Sequence, residues 1–188
     1  MVFSVRFIAL LLLSLSCAQA ELRFTFRLQE TELDGVKLRQ LVFSDGNKAV
    51  TYAPPRGWQY FAAEDRLRLS PPTGQPGEAV ITKLKLPQPQ AFDDSTMKRL
   101  TEEVIASAPS GARRVTIVSQ QKNPVLIEGK PTFLVIINFE LYGTSQSRSV
   151  MFLNRDGERL RFQLTCPQTK FAELQKQFFG SQFSWQNL

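Results

Sequence analysis

The sequence predicts an α+β domain built mainly from antiparallel strands. Three observations carry this: alternating apolar segments joined by short turn sequences, a capped amphipathic segment in mid-chain, and a Phe-rich helical segment near the end. Residues 22–28 read L-R-F-T-F-R-L, with Leu22, Phe24, Phe26 and Leu28 on one face of a strand. Residues 36–43 and 48–52 flank Ser44-Asp45-Gly46-Asn47, which is hairpin-turn chemistry. Pro54-Pro55-Arg56-Gly57-Trp58 is then a turn that hands over to a buried aromatic. Further strands are expected over 66–69 and 79–86, separated by the proline- and glycine-rich surface loop 71–77.

The first helix follows from its caps. Asp93, Asp94 and Ser95 offer N-cap oxygens and favourable charge at the positive helix end. Met97, Leu100, Val104 and Ala108 recur at helical spacing until Pro109 and Gly111 end the run. Beyond it the chain reads as a meander with strands over 114–120, 125–127, 132–142, 148–153 and 160–165. Its turns are Glu128-Gly129-Lys130, Gly143-Thr144-Ser145 and Asn154-Arg155-Asp156-Gly157. In the long strand Phe133, Val135, Ile137, Phe139 and Leu141 line one face, while Leu134, Ile136, Asn138, Glu140 and Tyr142 line the other. That pattern suits a central strand covered fully on one side and partly on the other. The last helix is expected to open at Pro167, with Cys166 near its N-cap, and to stop at Gly180. Phe171, Leu174 and Phe178 form its inward stripe, and Phe183 and Trp185 dock on the sheet.

Composition bounds the chemistry. The 188 residues include 23 Lys or Arg, 17 Asp or Glu, two Cys and no His. Without His there is no Ser-His-Asp or Cys-His nucleophile pair and no His-bearing zinc site. The basic residues are scattered, with Lys98-Arg99 and Arg113-Arg114 the longest runs, so a mildly basic solvated surface is expected and no nucleic-acid partner. Arg6, the apolar residues 7–15 and Ala18-Gln19-Ala20 have the form of a secretory signal peptide, residues 1–20, cleaved before Glu21. Residues 21–188 then form a single domain, periplasmic or extracellular, with no transmembrane span. Lipoprotein anchoring through Cys17 is the alternative, although Ser14 stands where a lipobox usually has Leu. Removal of the leader takes away Cys17 and leaves Cys166 without a partner in its own chain.

Several of these residues together resemble PsbP-like proteins. They are the Pro-Pro-x-Gly-Trp turn after a hairpin (residues 54–58), the mid-chain amphipathic helix, and Glu128-Gly129-Lys130-Pro131 leading into a long apolar strand. The ending is similar too: Leu160-Arg161-Phe162-Gln163-Leu164, then Cys166-Pro167, a Phe-rich helix and a final Ser-x-x-Ser-Trp. The resemblance covers most of residues 36–188. It implies a three-layer α/β/α sandwich with a central, mainly antiparallel sheet. It also implies a largely non-enzymatic group of assembly factors, docking proteins and exported proteins of unknown role. The founding plant members attach to photosystem II and are linked to its manganese and calcium through His and acidic residues. This chain has no His and no matching acidic motif, so neither activity is carried over, and no metal or other cofactor is expected.

Candidate site residues are few, and none is assigned a catalytic role. Cys166 at a helix start is a possible reactive thiol, since a helix dipole can lower a thiol pKa; the plainer expectation is a small buried apolar group. Arg159, Arg161 and Gln163 share the polar face of one strand, as Asn138 and Glu140 do on the long strand. Arg159, Arg161 and Glu140 are therefore weak ligand or partner candidates, and Glu140 is expected to pair across strands with Arg159 or Arg161 if those strands are neighbours. The acidic pairs Glu64-Asp65, Asp93-Asp94 and Glu102-Glu103 are adjacent in sequence, so neither pair member faces the other on a helix or strand. Arg23-Phe24-Thr25-Phe26-Arg27 reads as an amphipathic strand with Phe inward, and Trp58 and Trp185 as core. The functional expectation is an exported, non-enzymatic binding or assembly protein whose partner is another protein or an envelope component. A small-ligand or anion-binding module is the alternative.

Overall fold

The computed structural model describes residues 22–188 apart from 34, 35, 47 and 156. The expected signal peptide and its cleavage site, and Cys17 as the alternative lipid anchor, lie outside the described residues. In chain order the elements are β1 (Leu22–Leu33), β2 (Val36–Asp45), β3 (Lys48–Tyr52), β4 (Gln59–Ala62), β5 (Arg66–Ser70), β6 (Glu78–Lys85), α1 (Asp94–Ala106), β7 (Arg113–Lys122), β8 (Thr132–Leu141), β9 (Thr144–Arg155), β10 (Glu158–Pro167), α2 (Gln168–Gln182) and β11 (Gln186–Asn187).

The strands form two antiparallel sheets. The larger has the order β4-β5-β6-β10-β9-β8-β7, and the smaller β1-β2-β3-β11. Because side chains alternate along a strand, the larger sheet divides its apolar residues between two cores. Phe133, Val135, Ile137 and Phe139 of β8, with Val150 and Phe152 of β9, face Leu100 and Val104 of α1 and Phe92 before it. Leu67, Leu69, Ala79, Ile81, Leu160, Phe162 and Leu164 point the other way, toward α2 and the smaller sheet. The layers are thus α1, the seven-stranded sheet, and a third layer in which α2 lies with the four-stranded sheet. This is the α/β/α sandwich that the resemblance implied, with one addition. The first three strands do not join the central sheet; they form a second one, closed by β11 from the far end of the chain.

Local sequence explains most elements. Asp93 caps α1, its side chain accepting the Thr96 N–H at 2.7 Å, as its position predicts. Phe24 is buried while Arg23 and Arg27 are exposed, so the first strand is amphipathic as expected. Leu28, expected inward, is 46% exposed. A register shift lies between Arg23 and Phe26, and β2 pairs with β3 only as far as Leu41, so beyond that point β1 and β2 pair with each other alone.

The expected strand at 125–127 is reduced to an isolated bridge between Ile127 and Lys130. Both Val125 and Ile127 still bury their side chains in the core. The last helix opens one residue later than expected, at Gln168, with Pro167 as its N-cap and no side-chain cap; Cys166 lies beside that cap, as expected, and both residues also end β10. Gly180 does not stop that helix, which continues to Gln182 because its final turn is held by packing. Ser181 is hydrogen-bonded to the Tyr52 hydroxyl at 2.8 Å, Ser184 Oγ accepts the Ala53 N–H at 2.8 Å, and Gln182 is buried.

Candidate functional site: arginines on the outer face of the sheet

The face of the seven-stranded sheet that carries α1 is only half covered by it. The helix rests on β7 and β8. On the same face of β4, β5 and β6, residues Phe61, Arg66, Arg68 and Leu84 are exposed and Val80 and Thr82 half-buried. Register pairing aligns them in rows that run into β10. Phe61 pairs with Arg68, Arg68 with Val80 and Val80 with Gln163; Arg66 pairs with Thr82 and Thr82 with Arg161.

On this face three arginines of β9 and β10 are drawn inward, two of them beside the C-terminal end of α1. Arg148 of β9 is 6% exposed, Arg159 of β10 is 2% exposed, and Arg161 is half-buried. Arg148 donates from Nε to Thr165 Oγ1 at 2.9 Å and from Nη1 to the Ser107 carbonyl and, at 3.1 Å, to Ser107 Oγ. Arg161 donates from Nη2 to the same Ser107 Oγ at 3.1 Å. Ser107 is the C-cap of α1, whose last turn holds no basic residue, so the sheet supplies the cations that the negative helix end favours. Arg148 also lies 5.5 Å above the Phe139 ring. Arg159 donates to Asn154 Oδ1 at 2.7 Å and Gln90 Oε1 at 2.8 Å, tying the loop before α1 to the sheet.

These guanidiniums have neutral partners only. Among the described residues none of the three forms an ion pair with a carboxylate, and Arg161 Nε is shut off from solvent with no hydrogen-bond partner. Burial lowers the pKa of Arg148 to about 10, helped by the charge of Arg161. Burial likewise lowers Arg159 and Arg161; Arg99 pushes Arg159 down further, and Glu103 counters in both. Arg155, on the other face, shows the contrast. It is equally buried, but Asp45 lies at 2.8 Å, Glu158 at 3.0 Å and Glu128 at 3.9 Å.

Arg159 and Arg161 were legible in the sequence as candidates, and the fold brings Arg161 together with Arg148, which sequence reasoning missed, while Arg159 is held by Asn154 and Gln90. A signal for Arg148 existed: it sits at even spacing with Val150 and Phe152, the inward face of its strand. Glu140 is not part of this group. β9 separates β8 from β10, and Glu140 instead accepts from Arg114 of edge strand β7 at 2.7 Å, in an exposed pair. Cys166 is 1% exposed, and burial pushes its thiol up to about 11, against the lowering that a helix start would give. A separate groove of about 380 Å³ lies between α1 and β7, lined by Met97, Thr101, Ile105, Ile117 and Gln120 among others.

Layer order and topology define the fold class: an α+β sandwich with an antiparallel sheet between helical layers. Comparison with solved structures makes it more particular, for the fold is that of PsbP. The solution structure of the cyanobacterial PsbP of Synechocystis sp. PCC 6803 superposes with a TM-score of 0.54 at 12% identity, over 85% of this chain and 91% of that one. A Pseudomonas aeruginosa protein of unknown function matches at a TM-score of 0.46 and 12% identity, over 84% of this chain and 94% of the other. No protein-family model matches the sequence, and no curated protein matches it significantly. Among the described residues no three His, Cys, Asp or Glu side chains gather as a metal site. Among the described residues no helix is long and apolar enough to cross a membrane.

Proposed function

We propose that the protein is exported, is cleaved before Glu21, and acts as a non-enzymatic binding protein that docks another protein or envelope component on the open half of its seven-stranded sheet. The observation that carries this reading is the uncovered face of β4, β5 and β6. Phe61 there is 69% exposed and stands in register with Arg68, beside exposed Arg66 and Leu84. An aromatic interleaved with arginines is the composition that protein interfaces favour. The leader supports export. The absence of His and the buried, protonated Cys166 support a role without nucleophilic catalysis.

Site-specific photocrosslinking in intact cells tests the reading. A photoreactive residue at position 61 or 84 is expected to trap a reproducible partner, and one at Glu173, exposed on α2, is not. Equal yields from both faces, or no adduct from 61 and 84 across growth conditions, would overturn it. The second reading, an anion-binding module, is favoured by a different observation, the unpaired guanidiniums at the end of α1.

A further inference from the structure

A buried cation is expensive unless an anion accompanies it, and neutral hydrogen bonds recover only part of the cost. Arg155 meets that requirement with three carboxylates. Arg148 and Arg161 do not, although two of their nitrogens converge on one Ser107 oxygen, each at 3.1 Å. Register places Arg161 opposite Phe152 and Thr165 opposite Arg148, so Gln163 lies between the two arginines on the same face. Thr82, half-buried, pairs with Arg161 from the other side. Arg161 Nε is a dry donor without an acceptor. Glu103 offsets the effect of burial on Arg161 through its charge, without a hydrogen bond or ion pair between them.

We propose that Arg148 and Arg161, with Gln163 and Thr82 beside them, bind a phosphate group, either free or carried on a lipid headgroup. Two guanidiniums bring two positive charges, which a doubly charged tetrahedral oxyanion neutralises and a single carboxylate does not. Its oxygens also spread in three dimensions and can accept from two separate guanidinium forks. The site borders the open sheet face, which gives a headgroup or a soluble phosphate its approach. The proposal goes beyond the docking reading and stands apart from it: phosphate binding can fail while crosslinking at Phe61 succeeds, and the reverse.

The test is a titration of the purified protein with inorganic phosphate, read by thermal shift and calorimetry against sodium chloride of equal ionic strength. Phosphate is expected to raise the melting temperature beyond the effect of chloride, because it binds the native state alone. Arg161→Gln should weaken affinity by about tenfold or more, roughly the worth of a charge-assisted contact, whereas Arg39→Gln, in the exposed pair with Glu30, should not. If Arg161→Gln fails to fold, Arg161→Lys carries the comparison, since it keeps the charge and loses the planar fork. A parallel arm measures sedimentation with vesicles of phosphatidylcholine with and without phosphatidic acid. Binding that depends on phosphatidic acid and on Arg161, without affinity for free phosphate, assigns the headgroup as the source. No binding in either arm, or binding unchanged in the Arg161 variants, overturns the proposal.

Discussion

Trp185 offers the sharpest check on how the layers are held together. Its indole is fully buried and meets four rings: Phe162 at 5.5 Å, Phe43 and Tyr52 at 5.8 Å, and Phe24 at 6.5 Å. One side chain thereby joins β10 of the larger sheet to β1, β2 and β3 of the smaller. Truncating a buried Trp to Ala costs about 3–5 kcal/mol, and four ring partners place this case well within that range. A second substitution separates packing from polarity. The indole Nε1 is buried without a hydrogen-bond partner, which already costs the native state about 1–3 kcal/mol. Trp185→Phe removes that donor and keeps most of the ring, so loss of contact and relief of desolvation nearly cancel. The expected destabilisation is about 4 kcal/mol for Trp185→Ala and about 1 kcal/mol or less for Trp185→Phe. At roughly 2–4 °C per kcal/mol for a domain of this size, the Ala variant should melt about 8–16 °C lower. Urea denaturation followed by circular dichroism gives the free energies directly, with an unchanged slope if both states keep their compactness. Equal losses for the two substitutions, or a loss below about 1.5 kcal/mol for Ala, would refute the account of Trp185 as the joint between the sheets.

Three further outcomes follow from particular contacts. Cys166 should resist thiol reagents until the protein is denatured. Its folded pKa of about 11 stands above the ordinary 9.0, so its stabilisation is complete below pH 9 and is lost as the pH rises through 11. Denaturation curves at pH 8 and 10.5 should accordingly differ more in the wild type than in Cys166→Ala; an identical pH dependence would contradict this. Arg155→Met should cost about 3–5 kcal/mol, because it takes the buried cation away from Asp45, whereas Arg114→Ala should cost under about 1 kcal/mol by breaking only the exposed pair with Glu140. Gly77→Ala should be the worse of two glycine substitutions. Its Cβ would lie 3.0 Å from Cys166 Cβ and 3.2 Å from Leu174 Cδ1, while at Gly111, also at positive φ, nothing lies within 4 Å. Overpacking adds about 1–3 kcal/mol at Gly77 alone, which comparative melting of the two variants would reveal.

What could be read from the sequence was what neighbouring residues decide. Alternation over 132–141 identified β8 and both of its faces, and Asp93 marked the start of α1, because strand period and N-cap chemistry are local. Gly180 was misleading for the opposite reason. Its propensity to end a helix is worth about 1 kcal/mol, less than the contacts that Phe178, Ser181 and Gln182 make with distant residues. Glu140 was misassigned because sheet order is set by long-range pairing, and only the order β10-β9-β8 reveals that Arg159 and Arg161 are out of its reach. The arginine group was half legible for the same reason. Arg159 and Arg161 advertise themselves by alternation on one strand, but Arg148 and Ser107 join Arg161 only through the docking of α1 on the sheet.

The smaller sheet has a consequence in time as well as in space. Its outer strand and its central ring come from residues 185–187, and the hydrogen bond from Thr51 Oγ1 to the Gln186 carbonyl spans 135 residues of chain. Residues 22–52 can pair as ribbons early, but the core they share with the larger sheet is not closed until Trp185 arrives. A ribbon without such packing is marginal in water. Closure of so distant a loop is slow relative to local pairing, so the N-terminal sheet is among the last parts of the molecule to become secure. A chain emerging from a ribosome, or threaded through a pore, would keep strands β1 to β3 unlocked until residues 185–187 had passed.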